Sequence, residues 1–167
     1  MAHFAQIDEN NIVINTIVVD NSVINNLPFP ESEPVGVEFC KSLYKEQDTN
    51  WKQTSYNHNF RWRYAGIGFF YDSINDGFLP PKPYPSWIVD PTKKNWVEPI
   101  PYPNDGGVYQ WDEPSVSWVP MPKPYPSWIP NSTFTRWTAP VPMPRPCFPP
   151  AYSWNESALS WVEVPQS

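Results

Sequence analysis

The heptapeptide KPYPSWI stands at residues 82–88 and again at 123–129, 41 positions apart. Self-similarity at a fixed period constrains a fold more than any local propensity. Setting residue n against n+41 also aligns Trp96 with Trp137, Pro99 with Pro140 and Pro101 with Pro142 without a gap. The repeat therefore extends well beyond the heptapeptide. Tyr84 and Tyr125 each precede a proline and are biased to extended geometry. KPYP is thus expected to form a short polyproline-like rod leading into a strand, with Trp87 and Trp128 in equivalent places.

A second register lies between the copies. Segments 70–81, 109–122 and 152–165 share an aromatic residue, Asp or Asn, several turn formers, then Phe or Trp with an aliphatic residue and a nearby proline. Segments 87–99 and 128–140 follow the same logic, which makes five hairpin-like units. Their closing aromatics, Phe78, Trp96, Trp118, Trp137 and Trp161, are 18, 22, 19 and 24 residues apart. Short extended arms flanking Asn, Asp, Ser or Pro clusters read as hairpins. Paired arms bring aromatics together across strands, at about 0.2–1 kcal/mol per pair. Prolines between arms remove no ladder hydrogen bond.

Proline supplies 24 residues and glycine only 6. Such density is common in disordered chains, but those are poor in aromatics. This one carries 10 Trp, 9 Tyr and 9 Phe, so a folded, aromatic-stapled chain is expected.

The first 26 residues read as a β-hairpin, HFAQID and IVINTIVVDN about the turn ENN. LPFPESEPVG reads as a proline-broken connector, and residues 37–47 as a short helix with Phe39, Leu43 and Tyr44 on one side. WKQTSY, the break NHN and FRWRYAGIGFFYD return to strand chemistry before the turn SINDG. Gly66 and Gly68 mark a bulge or a close backbone approach rather than a phosphate loop. The expected fold is mainly β with little helix. A small antiparallel β domain spans 1–79, and a proline- and tryptophan-rich series of short β-hairpin repeats spans 80–167.

A net charge of −6 and scattered basic residues argue against nucleic acid as a partner. No stretch reaches the about 18 apolar residues of a membrane span, and MAHFAQIDENN lacks a signal-peptide pattern. A soluble protein made in the cytosol is expected. Cys40 and Cys147, 107 positions apart, are expected as free thiols.

The chemistry of an enzyme needs converging groups. His3 and His58 have no metal-ligand spacing, and no nucleophile signature surrounds either cysteine. Asp72, Asp90, Asp112, Glu113 and Glu156 fall at the turns of the hairpin units, which turn chemistry explains. No DxDxDG-like cluster suggests calcium. We expect no catalytic residue, metal or cofactor. Carbohydrate binding competes, because regularly spaced Trp on hairpins could supply aromatic faces beside polar groups. PxxP rods could engage SH3 or WW grooves, although packing on the chain's own Trp is the simpler use. Tyr84, Trp87, Trp111, Tyr125, Trp128 and Trp154 are the candidate binding or interface residues.

At MAHFAQIDENNIVINTIVVDN and YAGIGFFYDSINDGFLPPKPYPSWIVDPTKKNWVEPIPYP the chain resembles a group of small proteins encoded by marine cyanobacterial phages and their relatives. Those proteins begin with a similar FA-IDENN-V-VIVVDN hairpin and carry YAGIG-YD, FIPPKP-PSW and W-AP-P-P segments. The likeness covers roughly residues 1–26 and 51–103, and 109–165 look like an extension of the repeat. It implies a virion component and offers no catalytic residues. The expectation is a non-enzymatic structural protein, made in the host cytoplasm and attached to the capsid surface or tail. Multiple copies, including a homo-oligomer, follow from virion symmetry. A host-surface glycan is the alternative partner.

Overall fold

The strand β1 (Ala2–Ile7) is buried along nearly its whole length, and the N-terminal architecture follows from covering both its faces. In the computed structural model, which describes residues 1–44, 50–144 and 151–164, β1 is the central strand of an antiparallel sheet. The sheet order is β2 (Val13–Val19), β1, β3 (Asn50–Thr54). Side chains alternate between faces. Ala2 and Phe4 accordingly pack with Val19, Ile24, Cys40 and Trp51, while Ala5 and Ile7 pack with Val13, Ala65, Tyr71 and Phe78. The β1–β2 turn closes on Asp8, whose Oδ1 accepts the N–H groups of Asn10 and Ile12 at 2.9 and 2.8 Å.

The helix α1 (Ser32–Leu43) contributes Cys40 to the first core. It begins five residues before the expected span of 37–47. The reason is Pro34, which reads as a break but occupies the first turn, where a missing N–H loses no intrahelical bond. Phe39 and Tyr44 pack on this core, whereas Leu43, expected beside them, is exposed. Residues 45–47 of the expected helix lie outside the described residues. Gly36 lets α1 approach the sheet, since a Cβ there would stand 1.9 Å from Phe4 Cζ.

Residues 60–69 depart from the expected strand, and only β4 (Phe70–Asp72) forms from FRWRYAGIGFFYD. Arg61 and Trp62 adopt left-handed φ values of 55° and 66°, which turns the Arg61 guanidinium inward. It makes a two-pronged pair with Glu33, donates through Nε to Asp76 at 2.7 Å, and reaches the Gln53 carbonyl at 2.8 Å. One buried cation thereby ties α1, β3 and the turn after β4. Gly66–Phe69 is a turn rather than a bulge: Phe69 N donates to Gly66 O at 3.0 Å and Gly68 has φ 83°.

The five expected hairpins all form, each as its own two-stranded antiparallel sheet. They are β4 with β5 (Gly77–Leu79), β6 (Ile88–Asp90) with β7 (Asn95–Val97), and β8 (Tyr109–Asp112) with β9 (Ser117–Pro120). Then come β10 (Ile129–Pro130) with β11 (Trp137–Thr138), and β12 (Ala151–Asn155) with β13 (Ser160–Val164). The protein is mainly β, with α1 the one helix among the described residues.

The turns obey one rule. Asp72, Asp90, Asp112, Asn131 and Asn155 each accept a backbone N–H within their own turn, at 2.8–3.1 Å for the shortest bond of each. Each turn also places one residue in the left-handed region: Asp76, Lys94, Val116, Phe134 and Leu159, with φ of 48–55°.

The chain divides into two compact units, Met1–Pro99 and Ile100–Ser167. The sequence expectation drew its line at 79/80, where composition turns proline-rich. Packing draws it after the second hairpin, because Trp96 is buried and lies 5.6 Å from the Phe70 ring.

Candidate interaction surface

Twenty-four prolines remove as many backbone donors, leaving the linkers rich in carbonyls. Indole is a side chain that only donates, and the closing tryptophans use it on those linkers. Trp96 Nε1 donates to Pro80 O at 2.7 Å, Trp118 to Ile100 O at 2.9 Å, Trp137 to Met121 O at 3.0 Å, and Trp161 to Val141 O at 2.8 Å. All four acceptors immediately precede a proline. Each bond closes a loop of linker and hairpin spanning 16–20 residues.

Hairpins alternate between two kinds. In the first, third and fifth, aromatics face each other across the strands: Tyr71 with Phe78, Trp111 with Trp118, and Trp154 with Trp161, all at 5.2–5.3 Å. In the second and fourth, the closing Trp faces Val89 or Pro130, and the KPYPSWI rod precedes the first arm.

The two rods have the same local geometry. Trp87 N donates to Tyr84 O and Trp128 N to Tyr125 O, both at 3.1 Å. The ring pairs Tyr84–Trp87 and Tyr125–Trp128 lie 5.5 and 5.4 Å apart, each at 41°. Lys82 Nζ stands 5.1 Å over the Trp96 ring, and Lys123 Nζ 5.3 Å over Trp137. The rods are therefore built into their own hairpins as the duplicated sequence suggests.

Of the candidate residues, Tyr125, Trp128 and Trp154 come together. Trp128 lies 6.3 Å from both Trp154 and Trp161. Ser127 donates from N and Oγ to Glu156 at 2.8 and 2.7 Å, and Glu156 also accepts from Trp154 Nε1 at 2.8 Å. Glu113 accepts from Trp111 Nε1 at 2.9 Å in the same way. Glu113 and Glu156 therefore act as indole acceptors, whereas Asp72, Asp90 and Asp112 do form the turns. The indole bond of Trp154, with that to Ser127, holds the Glu156 pKa below the usual glutamate value against the opposing effect of burial. Trp111 and Trp154 are buried, and Tyr84 is exposed.

Trp137 and Trp161, outside the candidate set, line an open groove of about 380 Å³ with Trp128, Arg136, Val141 and Met143. Val141, Met143 and the neighbouring Ile129 expose large apolar surfaces. Val116, Phe134 and Leu159, the left-handed turn residues of this unit, are also exposed. The n+41 match of Trp96 with Trp137 was the sequence signal for the staples. No local pattern marked the groove.

Cys40 is fully buried, and burial pushes its thiol up to about 12, which keeps it protonated. Cys147, and with it the question of pairing, lies outside the described residues. Among the described residues no cluster of His, Cys, Asp and Glu is arranged to hold a metal ion, and no helix is long and apolar enough to cross a membrane. The chain matches no protein-family model, no curated protein and no solved structure.

Proposed function

We propose that this chain is a non-enzymatic structural protein of a phage particle, attaching to the capsid surface or tail through its aromatic and proline-rich surfaces. The observation that carries this reading is the use of tryptophan. Trp96, Trp118, Trp137 and Trp161 all tie their N–H groups to pre-proline carbonyls, so they stiffen the chain. A chain so constrained loses little conformational freedom when it docks. The groove of Trp128, Trp137 and Trp161 with exposed Ile129, Val141 and Met143 supplies the apolar, aromatic surface that protein interfaces favour. The sequence resemblance supplies the particle, whose symmetry calls for multiple copies. The alternative reading is a carbohydrate-binding module used in host-surface attachment.

The test is mass spectrometry of washed particles. The chain is expected at a fixed copy number, and particles carrying an Ile129→Asp, Met143→Asp double variant should retain less of it. Particles that lack the wild-type chain would refute the reading.

A further inference from the structure

The N-terminal unit contains a recess unrelated to the tryptophan staples. At one end of the sheet the start of β1 meets the ends of β2 and β3, since His3 pairs with Val18 on one side and Thr54 on the other. The loops leaving β2 and β3 there enclose a cavity of about 420 Å³, within the range of about 300–1,000 Å³ typical of small-molecule sites.

Its lining contains no Asp, Glu, Lys or Arg. Asn21, Asn57 and Asn59 line it. Each amide presents both donors and an acceptor, the combination that matches a hydroxyl group. Beside them stands Tyr56, 67% exposed. The His3 ring stacks on Tyr56 at 5.7 Å and 22°, and Tyr64 meets both rings edge-on at 5.6–5.7 Å. Burial, with the nearby terminal amino group, lowers the His3 pKa, so the imidazole adds no charge near neutral pH.

Both loops are held in shape. Asn26 N donates to Asn21 O at 2.8 Å, and Ser22 N to Asp20 Oδ1 at 2.9 Å. In the other loop Asn59 N donates to Ser55 Oγ at 3.0 Å, and Tyr64 N to Nδ1 of the left-handed His58 at 3.0 Å. Such preorganisation reduces the ordering cost of binding.

We propose that this recess binds a neutral saccharide of one or two pyranose rings, its apolar face on Tyr56 and its hydroxyls on Asn21, Asn57 and Asn59. No charged side chain lines the recess, the terminal amino group of Met1 is the one charge beside it, and the chain's net charge of −6 disfavours anionic sugars. The site is independent of the scaffold reading, and either can fail alone.

The experiment is a ¹H–¹⁵N NMR titration of the full chain with cellotriose, maltotriose, lactose and chitobiose, with trigalacturonate as the charged control. At least one neutral probe is expected to shift the side-chain amides of Asn57 and Asn59. Tyr56→Ala and Asn57→Ala should each weaken that binding about tenfold, while Trp128→Ala leaves it unchanged. Both loop positions are exposed, and retained dispersion of the spectra verifies folding. Absence of shifts with every neutral probe would overturn the proposal. So would binding unaffected by both loop variants, or preferential binding of trigalacturonate.

Discussion

The indole N–H of Trp137 donates to the carbonyl of Met121 at 3.0 Å, and that bond is reproduced 41 residues earlier by Trp96 and Pro80 at 2.7 Å. The acceptor precedes a proline in both cases. Trp137→Phe keeps a ring but removes the donor. A loss of about 1–2 kcal/mol is expected in urea unfolding of that unit, with a similar loss for Trp96→Phe. Unequal costs would mean that the two repeats are stabilised differently despite their matching geometry.

Arg61 is the only residue described here that joins α1, β3 and the turn after β4 through one side chain. Arg61→Met leaves Glu33 largely buried without its cation, at a cost of about 3–5 kcal/mol. Adding Glu33→Gln should recover part of that loss, and a double-mutant cycle by chemical denaturation measures it.

Gly36→Ala opposes two effects. Alanine favours a helix over glycine by about 1 kcal/mol, but the added methyl would stand 1.9 Å from Phe4 Cζ. Phe4 is completely buried and has no room to retreat. Net destabilisation of about 1–3 kcal/mol is expected, read as a lower thermal midpoint of the N-terminal unit.

Glu156 provides a pH test. Its folded pKa is depressed below the ordinary value of 4.5, first by the Trp154 indole bond and further by the bonds from Ser127, with burial opposing. Its contribution is therefore present above pH 4.5 and is lost as pH falls through the lower folded value. Tryptophan fluorescence of the second unit should show an acid transition below pH 4.5 that disappears in Glu156→Gln.

Val116 is β-branched and holds φ 48°, a conformation that disfavours such side chains. Asparagine tolerates it far better. Val116→Asn should stabilise the second unit by about 1 kcal/mol, measured by its unfolding midpoint. A stable variant that also detaches from particles would tie the exposed valine to docking.

The hairpins were legible because their physics is local. Asp72, Asp90 and Asp112 cap turns through bonds spanning two or three residues, and each proline fixes its own φ. The start of α1 was hidden for the opposite reason. Pro34 looks like a break until its place in the first turn is known. Residues 60–69 looked like a strand because aromatic and basic residues alternate there. The attraction of Glu33 and Asp76 for Arg61 has no signature in that spacing.

The candidate surface divides in the same way. Equivalence of Trp87 and Trp128 within their rods could be read from the duplicated heptapeptide, since identical short segments with fixed proline angles reach similar local geometry. The convergence of Trp128, Trp154 and Trp161 could not, and neither could the use of Glu156 as an indole acceptor. The Asn21, Asn57 and Asn59 recess was equally invisible. The sequence alone determined five proline-spaced hairpins and an N-terminal β-hairpin, because turn chemistry and proline stereochemistry act over a few residues. Tertiary structure alone decided which side chains are joined as staples, clamps or pocket walls, because those contacts link residues 16 or more positions apart, where no local periodicity reports the pairing.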